Sequence, residues 1–227
     1  MIELPLPTLL LLIAWGTAVA LDLVSVPQVM IARPVVAGAV AGLLAGDVEA
    51  GLRVGVLFEL FALDVLPIGA VRYPDYGPAT VAATTLAAGA PWELGLGISA
   101  TLGLVLAVLG GWSLTLVRRS NARAIQRHAA ALAAGESSAI RRLQYAALLR
   151  DAARGATLTA LGLVLAVSIA QFAHLDRRTA VGLTLVAVGS ALSAIVSGAV
   201  RSAGRGTRLK WMVAGLVIGI LLLVVLR

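Results

Sequence analysis

The chain has 227 residues, of which 60% are hydrophobic and 13% are charged, and it contains no cysteine. Soluble domains carry roughly 25% charged and 45–50% apolar residues, so lipid must be the solvent for most of this chain. These proportions exclude a soluble enzyme, a secreted module and a DNA-binding domain. They predict an all-α polytopic membrane protein with about six to eight hydrophobic segments.

The formal net charge of +7 is distributed unevenly along the chain. Residues 1–117 carry three basic and eight acidic side chains, whereas residues 118–227 carry fifteen basic and three acidic ones. The basic excess lies in 118–154 and 201–210, beside long apolar runs, which is the pattern of cytoplasmic loops under the positive-inside rule. We therefore expect the first basic segment to be cytoplasmic, and we expect no nucleic-acid partner.

The first apolar run, 4–21, contains no charged residue and is long enough to cross about 30 Å of hydrocarbon. Its start holds Glu3 and two prolines instead of the basic residues of a signal peptide, so we interpret it as a retained helix. Further spans are predicted at 94–117, 156–172, 179–200 and 211–226.

A basic, amphipathic segment at 118–155 separates an N-terminal membrane region, 1–117, from C-terminal membrane helices at 156–227. The stretch 135–138 interrupts it, and Ser137 or Ser138 is a suitable cap for a second helix. Basic amphipathic helices lie on an anionic leaflet or meet a soluble partner, although simple solvation explains this composition equally well.

The region 22–93 differs from the other apolar runs because charged residues and prolines interrupt it. Ionisable groups and broken backbone persist at membrane depth only where they are buried in protein or line a cavity. The interrupted segments 26–46 and 52–70 therefore predict broken or re-entrant helices and a transporter's substrate site. We expect segments 22–46 and 47–75 to meet around a polar cavity near the middle of the membrane.

Small residues recur at every fourth position in this region, first as Gly38, Gly42 and Gly46 and then as Gly51 and Gly55. Such a stripe gives a helix a smooth face. A smooth face allows close static packing, and it also allows one helix to slide past another.

Two carboxylates in this region are candidates for binding a solute. Glu59 lies in an apolar stretch, so its carboxylate must be paired, protonated or directed at water. Asp75 lies in the polar turn 73–78, where two tyrosines and a carboxylate are suited to stacking on a sugar and accepting its hydroxyl hydrogens. The alternatives are ion pairs with Arg33, Arg53 or Arg72, and a plain interface loop at 73–78.

In their order and spacing, these residues resemble the IIC membrane subunit of the mannose/fructose/sorbose class of the bacterial phosphotransferase system. The resemblance is strongest over residues 20–85. The matching residues are Arg33-Pro34, Gly38, Gly42, Gly46-Asp47, Gly51, Gly55, Glu59-Leu60, Ile68-Gly69-Ala70 and Pro74-Asp75.

This resemblance implies a sugar-translocating subunit in the bacterial inner membrane. Its implied partners are a IID-like membrane subunit and cytoplasmic IIA and IIB domains, and its implied assembly is a homotrimer. The phosphoryl group comes from the partners, so the chain is expected to carry no catalytic residue of its own, and whether to count it as an enzyme stays open. No cluster of metal ligands is visible in the sequence, and no cofactor is expected.

Matching by position assigns roles to individual residues. The expected sugar-binding residues are Glu59, Asp75, Gln28 and Arg33. Structural or hinge roles are expected for Gly46, Asp47, Gly51, Gly69 and Pro74, with Asp47 as a helix cap or hinge.

The sequence also departs from the family pattern. Ala50 replaces the usual threonine, Phe58 replaces a small residue or proline, and Asp64 stands where glycine is usual. Arg72 adds charge ahead of Pro74-Asp75, and part of the usual C-terminal hydrophobic region is missing. Two alternatives therefore stay open: a diverged relative that transports or senses a solute without phosphotransfer, and a membrane scaffold.

Overall fold

A computed structural model describes residues 4–63, 72–89, 92–172 and 175–202, together with 210 and 214–215. Eight α-helices follow one another in these residues, and the described part of the chain has no strand, which confirms the all-α prediction. The helices are α1 (Leu6–Val24), α2 (Pro34–Ala45), α3 (Val48–Ala62), α4 (Tyr76–Ala88), α5 (Trp92–Arg127), α6 (Ala129–Ala133), α7 (Ser137–Phe172) and α8 (Arg177–Ser202).

Four of these helices contain stretches that are long and apolar enough to cross a membrane, namely Leu6–Val24, Gly95–Arg127, Ser137–Phe172 and Arg177–Val196. They coincide with the predicted spans at 4–21, 94–117, 156–172 and 179–200, so the chain is a multi-pass membrane protein. The predicted span at 211–226 lies almost entirely outside the described residues, as does Gly69.

The basic segment 118–155 is largely helical. Helices α5 and α7 continue from the apolar spans through the arginine-rich stretches, and the short helix α6 lies between them. Alanine, leucine and arginine are strong helix formers, so the helical course is interrupted only at His128 and near Gly135, whose φ is +71°. The break expected at 135–138 is therefore the turn before α7.

The interrupted region forms three short helices, as its prolines and glycines predict. Helices α2, α3 and α4 have 12, 15 and 13 residues. They are therefore only about 18–23 Å long, less than the hydrocarbon thickness of about 30 Å. Pro34 begins α2, and Gly46 ends it in the left-handed region with φ +85°. These broken helices agree with the predicted fold class.

Helices α2 and α3 form a tight hairpin because glycines face each other across it. A Cβ atom added at Gly55 would lie 2.8 Å from the carbonyl oxygen of Pro34, and one added at Gly42 would lie 2.9 Å from the Cα of Gly51. The backbones therefore approach more closely than side chains permit. Four glycines of the stripe, Gly38, Gly42, Gly51 and Gly55, thus form the contact face of the hairpin.

The turn between α2 and α3 is closed by Asp47, the N-cap residue of α3. Its carboxylate accepts a hydrogen bond of 2.9 Å from the Ala50 amide. This bond satisfies one of the helix's otherwise unpaired N–H groups.

Asp47→Ala is expected to lower the free energy of unfolding by about 1 kcal/mol, because the cap is lost. Asp47→Asn keeps an acceptor oxygen and should cost less. Thermal unfolding of the purified variants in one detergent would measure both effects. Equal losses in the two variants would mean that the carboxylate does not act as a cap.

Helix α4 lies at the centre of the described fold. Every residue from 77 to 87 is buried, and the helix packs against α1, α2, α3, α5 and α7. Its alanines, threonines and glycine allow this close surrounding. Helix α8 packs on α5 and α3 at the periphery. At its start, hydrogen bonds from the Thr179 hydroxyl and amide hold the pKa of Asp176 below its usual range.

Candidate functional site

The loop 25–33 between α1 and α2 is held in place by a buried carboxylate. Asp22, 4% exposed, accepts hydrogen bonds from the Val29 amide at 2.6 Å and the Ala32 amide at 2.9 Å. Gln28 and Met30 have φ values of +60° and +70°, which residues other than glycine rarely adopt. Such conformations persist where surrounding contacts impose them, and they cluster at functional sites.

The segment 72–77 ahead of α4 is held against α5. The Asp75 amide donates a 2.8 Å hydrogen bond to the Ala107 carbonyl oxygen. An Arg118 N–H donates to the Tyr73 hydroxyl at 2.9 Å, and its guanidinium lies 5.3 Å from the ring centroid. The Arg72 guanidinium lies 4.5 Å from the ring centroid of Trp112. Two arginine–aromatic pairs thus flank the turn that the sequence indicated as polar.

A cavity of about 310 Å³ lies between the loop 25–33 and the segment 72–77. Its volume is within the range of roughly 300–1,000 Å³ that is typical of ligand pockets. The cavity is lined by Asp22, Leu23, Gln28, Met30, Ala32, Arg33, Pro34, Ala62, Tyr73, Pro74, Tyr76 and Gly77. The structure therefore brings together Gln28, Arg33 and Pro74 of the residues singled out in the sequence.

The cavity lies beside the last turn of α1, where Asp22 is located, and so it is nearer to one end of that helix than to its middle. It is lined by the connection between α1 and α2 and by the segment ahead of α4. Its depth near the middle of the membrane stays a prediction.

Glu59 stands behind Arg33 at the edge of this cavity. The two side chains form an ion pair, and the Glu59 carboxylate also accepts a 3.3 Å hydrogen bond from the Val35 amide. The side chain of Glu59 is 17% exposed, and that of Arg33 is 49% exposed. Arg53 pairs with Glu49 within α3. Of the arginines proposed above as ion-pair partners, the one that pairs with Glu59 is therefore Arg33.

Asp75 is fully buried, and its partner is an arginine that the sequence did not indicate. Arg154 of α7 donates hydrogen bonds to Asp75 at 2.6 Å and to Asp151 at 2.8 Å. Asp151 also accepts a 2.6 Å hydrogen bond from the Ser25 hydroxyl. The ion pairs of Asp75 with Arg33, Arg53 or Arg72 considered above are therefore wrong, because α7 brings Arg154 to this place.

This chain of hydrogen bonds, from Ser25 through Asp151 and Arg154 to Asp75, connects the loop 25–33 with the segment 72–77. Asp75 does not line the cavity, but it adjoins Tyr73 and Pro74, which do, and its carboxylate is paired with Arg154. The signal in the sequence was weak: an aspartate and an arginine three residues apart, on one helix face, just before the apolar run. The composition of 118–155 indicates a solvated or peripheral segment, and this pair does not stand out within it.

Phe58, one of the departures from the family pattern, is a core residue. It is fully buried, and its ring centroid lies 5.9 Å from that of Tyr76 in the cavity wall and 6.2 Å from that of Phe61. Phe58 thus supports the aromatic wall of the cavity from the protein interior.

The cavity is suited to a neutral hydroxylated solute. Gln28 offers both a donor and an acceptor, Arg33 offers donors, and Tyr73 and Tyr76 offer aromatic surface. Glu59 balances the charge of Arg33, so this part of the cavity wall does not favour the binding of an anion. Within the described residues there is no group of three or more His, Asp or Glu side chains that could hold a metal ion.

Comparisons with known proteins give a consistent result. The sequence model of a family described as the sorbose-specific IIC component of the phosphotransferase system (PTS) matches residues 6–223. The mannose-specific EIIC component of Escherichia coli strain K12 is 33% identical over 126 residues, covering 55% of this chain and 46% of the relative. The sorbose-specific EIIC component of Lacticaseibacillus casei is 30% identical over 155 residues, covering 67% and 54%. The chain thus spans about half the length of these relatives.

Two solved structures share the fold. One, titled as the structure of a membrane protein, has a TM-score of 0.75 and 21% identity. The other, a mannose transporter ManYZ in complex with microcin E492, has a TM-score of 0.62 and 20% identity. Each comparison covers 96% of this chain and 88% of the matching one. At this level of identity, the likeness concerns the fold.

Proposed function

Since the chain belongs to the family of sorbose-specific IIC components of the PTS, we propose that it is the sugar-translocating membrane component of such a system. In this role it moves a hexose-type sugar across the bacterial inner membrane. A IID-like membrane subunit and cytoplasmic IIA and IIB domains would complete the phosphoenolpyruvate-dependent system and supply the phosphoryl group. A homotrimer is the proposed assembly.

The observation that carries this proposal is the cavity between the loop 25–33 and the segment 72–77. It is built from the part of the chain in which the sequence resembles the family most strongly, and its size and lining fit a neutral sugar. A neutral sugar develops no charge on passing through the membrane, so the site needs hydrogen bonds and aromatic surface instead of a general acid or base.

We assign the direct contacts to Gln28 and Arg33, with Glu59 orienting the Arg33 guanidinium. Asp75 would reach a sugar only after its bond to Arg154 opened, and its role in this proposal is to hold Tyr73 and Pro74 in the wall.

The remaining proposed roles belong to the hairpin and the turns. Gly46 and Asp47 form the tip of the α2–α3 hairpin, and Gly51 lies on its contact face. This hairpin is the proposed moving unit, with Gly69 proposed as a further hinge. A smooth glycine face permits sliding as well as close packing.

Sugar affinity tests the proposal directly. The full-length chain, purified from membranes, is titrated calorimetrically with mannose, fructose and sorbose. Gln28→Ala removes one or two neutral hydrogen bonds, so it should weaken binding roughly two- to tenfold. Gln126→Ala is the matched control because Gln126 is exposed on α5 and lines neither of the two larger cavities. It should leave the affinity unchanged.

Two outcomes would contradict the proposal in different ways. If none of the three sugars binds, or if Gln28→Ala and Gln126→Ala behave alike, the cavity is not the sugar site. If a sugar binds but is not phosphorylated when IIA, IIB and IID subunits are added, the chain transports or senses a solute without phosphotransfer.

A further inference from the structure

A second cavity, of about 590 Å³, adjoins the first. It lies between the end of α1, residues 114–121 of α5 and residues 144–151 of α7. Leu23, Gln28 and Tyr73 line both cavities, so the two spaces share a wall made of one aliphatic, one amide and one aromatic side chain. The proposed function does not account for this larger space.

We propose that the second cavity is a second, weaker binding site for the same neutral hydroxylated solute, on the side of the arginine-rich hairpin. This inference rests on the proposed function, because it takes the solute of the first cavity to be a sugar. The solute would pass between the two sites by exchanging hydrogen bonds at Gln28 and Tyr73.

The lining of the second cavity has the chemistry of a sugar site. Besides the shared wall, Ser25, Asn121 and Gln144 contribute a hydroxyl and two amides. At about 590 Å³ the space is also within the usual range of ligand pockets.

The charged groups in this lining already have partners of their own. The Asp151 carboxylate accepts from Arg154 and Ser25, and Arg118 donates to the Tyr73 hydroxyl. The lining therefore offers polar contacts without an unbalanced carboxylate, so it does not favour a cation.

Hydrogen bonds hold the backbone beside Gln28 and the Tyr73 hydroxyl, two parts of the wall that the cavities share. The backbone at Gln28 has φ +60°, and Asp22 holds the adjoining loop through the Val29 and Ala32 amides. Tyr73 is 6% exposed and is held by its hydrogen bond to Arg118. A solute in either cavity therefore borders the same three side chains, Leu23, Gln28 and Tyr73.

The position of the second cavity gives the direction of transfer. It lies where α5 and α7 enter the basic hairpin, which the positive-inside rule places in the cytoplasm. The second site is thus the one from which the sugar would leave toward the phosphorylating partners.

The absence of cysteine makes a protection experiment clean, since a single introduced thiol is the only one in the chain. Ala62→Cys places a thiol in the first cavity, and Ala147→Cys places one in the second. Ala133→Cys, exposed on α6, is the control. Each full-length variant is reconstituted into lipid nanodiscs, and its rate of reaction with a hydrophilic maleimide is measured over a range of mannose, fructose or sorbose concentrations.

We expect the same sugar to slow the reaction at both cavity thiols and to leave the control unchanged. Half-protection in the Ala147→Cys variant should need about tenfold more sugar than in the Ala62→Cys variant, which corresponds to about 1.4 kcal/mol. Gln144→Ala should raise the half-protecting concentration a further two- to tenfold for the second cavity only, because it removes a neutral hydrogen-bonding side chain. Gln126→Ala should change neither value.

The contrary outcomes separate the two proposals. Protection of the first thiol without the second would show that the second cavity is a solvent-filled vestibule. Equal half-protecting concentrations, with no effect of Gln144→Ala, would show a single site that both thiols sense. Either result overturns the second site and leaves the proposed function standing. If no sugar protects either thiol, the proposed function fails, and the second site fails with it.

Discussion

Arg154→Met is expected to lower the free energy of unfolding by about 3–5 kcal/mol, the cost of removing one partner from a buried ion pair. Methionine keeps much of the side-chain volume, so the loss is electrostatic. The substitution removes the arginine that pairs with the carboxylates of Asp75 and Asp151. Asp75 is fully buried, and Asp151 is 2% exposed. Denaturant unfolding of the purified variant in detergent would measure the change.

Arg150→Met is the matched control, because Arg150 lies one turn earlier on α7. It donates a 2.8 Å hydrogen bond to Asn121 outside the buried cluster. Its replacement should cost at most about 1.5 kcal/mol. Adding Asp75→Asn and Asp151→Asn to Arg154→Met should recover much of the stability, since no buried charge is then left unpaired. A loss of similar size in Arg150→Met, or no recovery in the triple variant, would contradict the assigned role.

Gly51→Ala is expected to lower the free energy of unfolding by about 1–3 kcal/mol, because the added methyl group overpacks the α2–α3 hairpin. The new Cβ would lie 2.9 Å from the Cα of Gly42 and still closer to the carbonyl oxygen of Gly38. Both neighbours are backbone atoms, so no side chain can rotate away. The same unfolding experiment would measure the loss.

Gly182→Ala is expected to change the free energy of unfolding in the opposite direction. Gly182 lies in α8, and an added Cβ would meet no atom within 4 Å in the described structure. Alanine in a helix is favoured over glycine by roughly 0.5–1 kcal/mol, so this variant should be slightly more stable than the original chain. If both alanine variants changed stability in the same direction, the hairpin would not be a backbone-to-backbone contact.

The sequence predicted the fold wherever a local pattern determined it. Long uncharged runs predicted the four spanning helices, and Pro34 and Gly46 predicted the ends of a broken one. The glycine spacing predicted a close helix contact, because a repeat of four residues places small residues on one face. The observed bounds of α5 and α7 differ from those of the predicted spans, because residues with high helix propensity continue beyond the apolar stretch that hydropathy detects.

The candidate site was predictable only in part. Gln28 and Arg33 stood out as polar residues in an apolar region, and both line the first cavity. Arg154 did not stand out, because 79 residues separate it from Asp75 and only the packing of α7 joins them. Among the basic side chains that the structure describes in the second half of the chain, Arg154 is the buried one, and only its spacing of three residues from Asp151 marks it in the sequence.

The unbroken course of α5 and α7 determines how far from the lipid a partner protein would meet this chain. Each helix has 36 residues and is therefore about 54 Å long, whereas the whole bilayer with its headgroups is about 40–45 Å thick. With both helices along the membrane normal and their far ends at the opposite surface, the hairpin would rise roughly 10 Å above the headgroups. Ionic screening at physiological salt reduces interactions beyond about 8 Å. In that orientation the arginines at the tip would be largely out of range of anionic lipid, and their field would act on proteins approaching from the bulk solution.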